Sequence, residues 1–385
     1  MKKIILFTAV AMTTAVLFAE PLYQASKKHN FTMGACISAQ NVKRASYTNM
    51  IKADFCSITA TNEFKAYSLL DQPACIKSAD GMPVMNYQNA DSIAKFAQEN
   101  GIGIRGHVLV WDAYMPDWFF RKGYSRSGDF VDSEIMKKRL EYYISEVVTH
   151  FEKNYPGVVY CWDVVNEAVA DGLNECKAGD ARRVRTTRSG TTNYFYDIIG
   201  PDYVELSFKY AKNTVNKVNP KIKLFYNDYN TFYGEKRNAI SNLIKSINKN
   251  EKLCDGIGMQ GYVGGYGTQA GCMNANDLKL FSEAIKFYGS LGLEVHVTEM
   301  ALRNYDNSEA AQKRHADFYE NFFKMLSACN REKTILTNVT IWGLTDNPSL
   351  PKTDYSYKMN GPYCGIFDAV FRPKPEHDRI LSALQ

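Results

Sequence analysis

Cys161-Trp162-Asp163-Val164-Val165-Asn166-Glu167-Ala168 is the stretch from which the rest of the chain can be read. The apolar run Val158-Val159-Tyr160 leads into it, and Ala170-Asp171-Gly172 follows, as in a buried strand whose last residues leave a sheet. Asn-Glu at such an end is costly unless the side chains have work at the strand's mouth, because an unpaired carboxylate is expensive to desolvate. Taken alone, Glu167 is equally well read as a strand-end residue that reaches solvent. A second β-rich run, Leu293-Glu294-Val295-His296-Val297-Thr298-Glu299-Met300, also ends at a carboxylate. Two carboxylates at the ends of two separate parallel strands are the minimal apparatus for cleaving a glycosidic bond.

Working outward, strand and helix patterns alternate about eight times. Strands are expected at Phe31 to Cys36, Asp54 to Thr59, Gly103 to Trp111, the opening stretch, Ile222 to Asp228, Gly256 to Gln260, Leu293 to Met300 and Val339 to Leu344. Helical spacing falls at Asn89 to Glu99, Ser133 to Asn154, Asp202 to Asn219, Tyr233 to Asn250, Asp277 to Leu291, Glu309 to Cys329 and Pro375 to Ala383. A polar, irregular segment from Asn174 to Ile199 and a glycine-rich segment from Gly261 to Gly271 read as loops. This alternation is the signature of parallel βαβ units, and eight of them close into an α/β (β/α)8 TIM barrel. Active sites of that fold lie at the C-terminal ends of the strands, where the polar residues here cluster. No repeat, linker or second module is evident, so residues 20–385 are expected to form a single catalytic domain.

The 385 residues are 45% hydrophobic, which is ample for such a core. A net charge of +5 without a basic stripe gives no reason to expect nucleic acid. The densest basic run, Arg182-Arg183-Val184-Arg185-Thr186-Thr187-Arg188, reads as a solvated loop. Residues 1–19 pair Lys2 and Lys3 with an apolar run from Ile4 to Phe18 and then Ala19, the pattern of a secretory signal peptide. The expected product is secreted or periplasmic, with no membrane span. Nine cysteines leave at least one thiol unpaired. Cys36, Cys56 and Cys161 read as buried free thiols, and Cys75, Cys176 and Cys272 as bridge candidates. No CxxC spacing suggests zinc, no cofactor is implied, and nothing demands more than a monomer.

Six motifs in order then resemble glycoside hydrolase family 10, the barrel-type endo-1,4-β-xylanases. They are Phe55-Cys56-Ser57-Ile58-Thr59 with Asn62 and Lys65; Gly106-His107-Val108-Leu109-Val110-Trp111 with Pro116-Asp117-Trp118; Trp162 to Ala168; Leu224 to Asn230; Thr298-Glu299; and Ile341-Trp342-Gly343 with Asp346. The resemblance runs from about Phe31 to the end. It implies Glu167 as general acid/base and Glu299 as nucleophile of a retaining reaction, with carboxyls ~5–5.5 Å apart. The negative charge of Glu299 would keep Glu167 protonated until the glycosyl-enzyme forms. It further implies that Asn166 meets the 2-hydroxyl of the attacked sugar and that Asn62 and Lys65 hold the next one. His107 would line the bond-breaking subsite and Trp342 would wall it. Trp111, Asn227, Gln260 and Tyr262 complete the expected substrate-binding set. The expected partner is a polysaccharide, xylan or a related β-glycan.

Several positions depart from the family pattern. Thr61 stands for Glu, Asp112 for His, Tyr114 for Gln, Tyr262 for the strand-six His, Ala301 for Asp and Leu350 for a second Trp. In the family the strand-six His touches the nucleophile and the Asp orients it, so losing both leaves neither orphaned. Tyr262 is then expected to donate its hydroxyl to Glu299. Leu350, Tyr114 and Thr61 are expected to widen tolerance for hexosyl or decorated β-glycans, a shift of preference worth ~1–3 kcal/mol. A non-catalytic carbohydrate-binding barrel is the reading from another class, and retention of Glu167, Glu299 and Asn166 argues against it.

Overall fold

The computed structural model describes residues 20–188, 191–263 and 275–385. Eight parallel strands close into a barrel: β1 Thr32–Ile37, β2 Ser57–Ala60, β3 Gly103–Gly106, β4 Val159–Asn166, β5 Lys223–Asp228, β6 Gly256–Val263, β7 Glu294–Leu302 and β8 Leu336–Ile341. β1 closes the ring by pairing with both β2 and β8. Helices fill the crossovers, as parallel pairing requires. The helix Ser133–Asn154 starts where Asp132 accepts from the Ile135 amide, and it buries Met136, Leu140, Tyr143, Ile144, Val147 and Phe151 on one face. Ser308 caps Glu309–Cys329 in the same way through the Ala311 amide. Both helices have the bounds their spacing predicts.

β3 is shorter than expected. Its ladder stops at Gly106, and pairing with β4 resumes through the Leu109 and Val110 amides, which donate to Asp163 and Val164 carbonyls. Gly106 is required where it stands, because a Cβ there would lie 2.4 Å from Cε3 of the Trp162 indole. β8 begins three residues earlier than the apolar run suggests and ends at Ile341, so Trp342 sits just past the strand. The segment 174–199 is partly ordered: Thr187–Arg188 and Thr191–Thr192 pair as a short antiparallel hairpin, followed by a helix at Tyr194–Ile199.

The barrel interior is not wholly apolar. Arg105 makes a two-pronged ion pair with Asp163 and donates from Nε to His296 Nδ1 at 3.1 Å. Asp163 also contacts His107 Nδ1 at 2.8 Å. Burial drives the His296 imidazole down to about 4, so it is neutral and accepts from Arg105.

Two expectations about cysteine are corrected. Cys75 and Cys176 are free thiols, not bridged; both are buried, and Cys75 Sγ is spent on the Val84 main chain. Cys272, the glycine-rich segment beyond Val263 and the leader 1–19 lie outside the described residues. No described helix is long and apolar enough to cross a membrane.

Candidate active site

The two carboxylates are aimed by irregular backbone. Glu167 (φ +54°) and Glu299 (φ +56°) both occupy the left-handed region, uncommon for a residue other than glycine and costing on the order of 1–3 kcal/mol. β7 carries one more residue than either neighbour around Glu299. Gln260 and Tyr262 pair with Thr298 and Ala301, while Val339 and Ile341 pair with Val297 and Met300. The extra residue is a β-bulge, a device that re-aims a side chain at a barrel rim. β4 gains a residue on β5 in the same way between Asp163 and Val165, just before Glu167.

Both carboxylates line one cleft of about 830 Å³ at the C-terminal mouth of the barrel, together with Asn62, Lys65, Trp111, Gln260, Tyr262 and Trp342. His107, Asn166 and Asn227 lie beneath its floor, 2%, 1% and 0% exposed. They act on the carboxylates' surroundings. Asn227 accepts from Thr298 Oγ1 at 2.7 Å and donates to Asn166 Oδ1 at 2.8 Å. That fixes the Asn166 amide, whose Nδ2 has no hydrogen-bond partner among the described residues. A buried donor held without a partner is suited to a ligand hydroxyl. Lys65 donates to Asn62 at 3.1 Å and lies over the Tyr114 and Trp111 rings. Burial lowers its pKa, against the pull of Glu299 and Glu167.

The carboxylates have different surroundings. Glu299 accepts from the Tyr262 hydroxyl at 2.8 Å and lies 3.9 Å from His107 Nε2. Burial raises its pKa, and His107, Tyr262 and Lys65 oppose that rise. Tyr262 pairs in register with Ala301, so no second carboxylate competes for its hydroxyl from that position. Glu167 accepts from Gln260 Nε2 at 2.9 Å and makes an ion pair with Arg188.

This ion pair overturns the reading of residues 182–188 as a solvated loop. Arg185 is 1% exposed and Arg188 16%. Arg185 bridges Glu175, the Tyr229 hydroxyl at 3.0 Å, and the Glu167 and Val169 carbonyls. Arg188 pairs with Glu167 and Asp112. The sequence carried a signal for this. Asp112 replaces a histidine at a barrel mouth, and a carboxylate buried there demands a cation. Leu350 is not among the lining residues; the loop after β8 contributes Tyr355, Ser356, Met359 and Asn360 to the cleft. Tyr355 is 73% exposed, which leaves its ring face open.

Residues 22–383 match the family model described as glycosyl hydrolase family 10. The chain belongs to that family. This family 10 hydrolase is 37% identical over 327 residues to a putative endo-1,4-beta-xylanase of Caldicellulosiruptor saccharolyticus, covering 83% of this chain and 96% of that one. It is 36% identical to endo-1,4-beta-xylanase A of Thermotoga maritima over 92% of its own length, but spans only 31% of that longer protein. Among solved structures, the N-terminal endo-1,4-beta-D-xylanase 10B of Clostridium thermocellum, complexed with xylohexaose, superposes with a TM-score of 0.80 at 28% identity. That match covers 95% of this chain and 68% of the other. Among the described residues of the family 10 hydrolase, no group of three or more His, Cys, Asp or Glu could hold a metal ion.

Proposed function

We propose that this family 10 hydrolase is an exported endo-1,4-β-xylanase that cleaves xylan with retention of anomeric configuration. The observation that carries the proposal is the pair Glu167 and Glu299, turned by two strand irregularities onto one cleft with the Asn166 amide beneath its floor. In the first step Glu299 attacks the anomeric carbon while Glu167 gives its proton to the leaving oxygen. In the second, water attacks that carbon, Glu167 takes the water's proton, and the ester to Glu299 breaks. Burial raises the pKa of the nucleophile, and the Tyr262 hydroxyl opposes that rise by favouring its charged form. Asn166 Nδ2 meets the 2-hydroxyl, where a hydrogen bond that strengthens in the transition state lowers the barrier. The charged start and apolar run of residues 1–19 are what support the exported part of the reading.

Product analysis on xylo-, arabinoxylo-, cello-, mixed-linkage gluco- and manno-oligosaccharides tests this reading. Internal cleavage of the xylo-series ahead of the others supports it. Preference for a hexose series moves the substrate, and no turnover on any series removes the enzyme reading. Glu299→Ala should abolish turnover while leaving oligosaccharide binding intact.

A further inference from the structure

Arg188 reaches Glu167 from a hairpin that the barrel does not need for closure. Its guanidinium is shared between two carboxylates. Nη1 bonds Glu167 Oε2, while Nη2 and Nε lie 3.3 and 3.5 Å from Asp112 Oδ1 and Oδ2. A further bond, Nη2 to the Glu167 carbonyl at 2.9 Å, anchors the head group. The three side chains are 16%, 9% and 5% exposed for Arg188, Glu167 and Asp112. Charges so far withdrawn from water are screened little by salt.

Other charged and titratable groups surround Glu167. Asp112 follows β3, Asp228 ends β5 and Glu299 lies on β7; Lys65 stands beyond β2. Tyr114, Tyr262 and Tyr355 line the same cleft and feel its charge. Arg185 touches only its carbonyl, at 3.2 Å, and spends its remaining nitrogens on Glu175, Val169 and Tyr229. Gln260 is neutral. Among the described residues, Arg188 is the cation in contact with the Glu167 carboxyl.

We infer that Arg188 is a positioning residue that matches Glu167 to the second step of the double displacement, holding it as an aligned carboxylate, and that it shifts onto Asp112 when Glu167 must carry a proton. The inference rests on the retaining reading above. In the first step the bond from Glu299 Oε to the anomeric carbon forms. As it forms, the glycosidic C–O bond breaks with its electron pair on the leaving oxygen, which takes the Glu167 proton. In the second step the water oxygen bonds to the same carbon, its proton goes to Glu167, and the carbon–oxygen bond to Glu299 breaks. Glu167 is neutral at the start of the first step and anionic at the start of the second. A guanidinium on Oε2 favours the anionic form, so it assists only the second. Asp112, already within 3.5 Å, is an alternative seat that needs no backbone movement.

The test uses two aryl xylobiosides. The phenyl compound needs a proton on its leaving oxygen, whereas the dinitrophenyl compound departs without one and leaves the second step limiting. Arg188→Met should raise the alkaline limb of kcat/KM on the phenyl glycoside by about one pH unit or more, because an opposite charge in contact has been removed. It should also lower kcat on the dinitrophenyl glycoside more than on the phenyl one. Asp112→Asn, which leaves Arg188 with Glu167 alone and removes a nearby negative charge, should move the limb the other way. A limb unmoved in both variants overturns the inference, as does an equal loss on both leaving groups, the result of a merely structural hairpin contact. Wild-type enzyme that released product of inverted configuration would remove the retaining reading and this inference together.

Discussion

Tyr262→Phe removes one oxygen atom and with it the hydroxyl that donates to Glu299 Oε2 at 2.8 Å. A hydrogen bond to a charged acceptor is worth about 1.5–3 kcal/mol. Glu299 must be ionised to attack, and burial already raises its pKa. The Tyr262 hydroxyl opposes that rise, so its loss moves the pKa further up. At 1.36 kcal/mol per pH unit the acidic limb of kcat/KM should climb by about 1–2 units. At a pH acid to both limbs the rate should fall about 10- to 100-fold, with a smaller loss on the plateau. The assay is the pH dependence of kcat/KM on a soluble xylo-oligosaccharide. A Phe variant with the wild-type rate and limb would refute the role assigned to Tyr262.

Other perturbations follow from the same surroundings. Glu299 has a raised folded-state pKa, so its protonated form favours folding at low pH, and that stability is lost as pH rises through the folded value. Glu299→Gln should therefore raise Tm at neutral pH, and the gain should vanish below about pH 4, where the unfolded carboxyl is itself protonated. Thermal melts at both pH values check this, and a gain that persists in acid contradicts it. Arg105→Met leaves Asp163, 0% exposed, with His107 as its remaining ionisable contact. It should cost about 3–5 kcal/mol in denaturant unfolding, and a loss under about 1 kcal/mol would show that the barrel tolerates the unpaired charge. Tyr355→Ala removes an open ring from the cleft wall and should raise KM for xylohexaose about 2- to 10-fold with kcat little changed, as loss of an aromatic contact worth ~0.5–1.5 kcal/mol predicts. An unchanged KM would place the sugar chain elsewhere.

The barrel was legible because its signals are local. Ser133–Asn154 and Glu309–Cys329 announce themselves by apolar spacing, and the structure adds the Asp132 and Ser308 caps at their starts. Glu167 and Glu299 stood out because a carboxylate at the end of a buried strand needs a reason. What was hidden depends on contacts distant in sequence. Arg188 meets Asp112 across 76 positions and Glu167 across 21, so its basic run looks like any solvated loop until the fold brings a buried carboxylate to it. The left-handed backbone at both glutamates and the extra residue in β7 follow from strand register, which no single stretch encodes. Tyr355 is hidden because the family pattern points to position 350, where tryptophan is usual, whereas the cleft wall is built five residues later.

The most direct measurement is proton NMR of xylohexaose during the first minutes of hydrolysis. Cleavage at internal bonds is expected, with new reducing ends appearing first as the β-anomer and passing to the α-anomer only by mutarotation. An α-anomer formed first would contradict the roles given to Glu167 and Glu299, and intact xylohexaose would contradict the substrate.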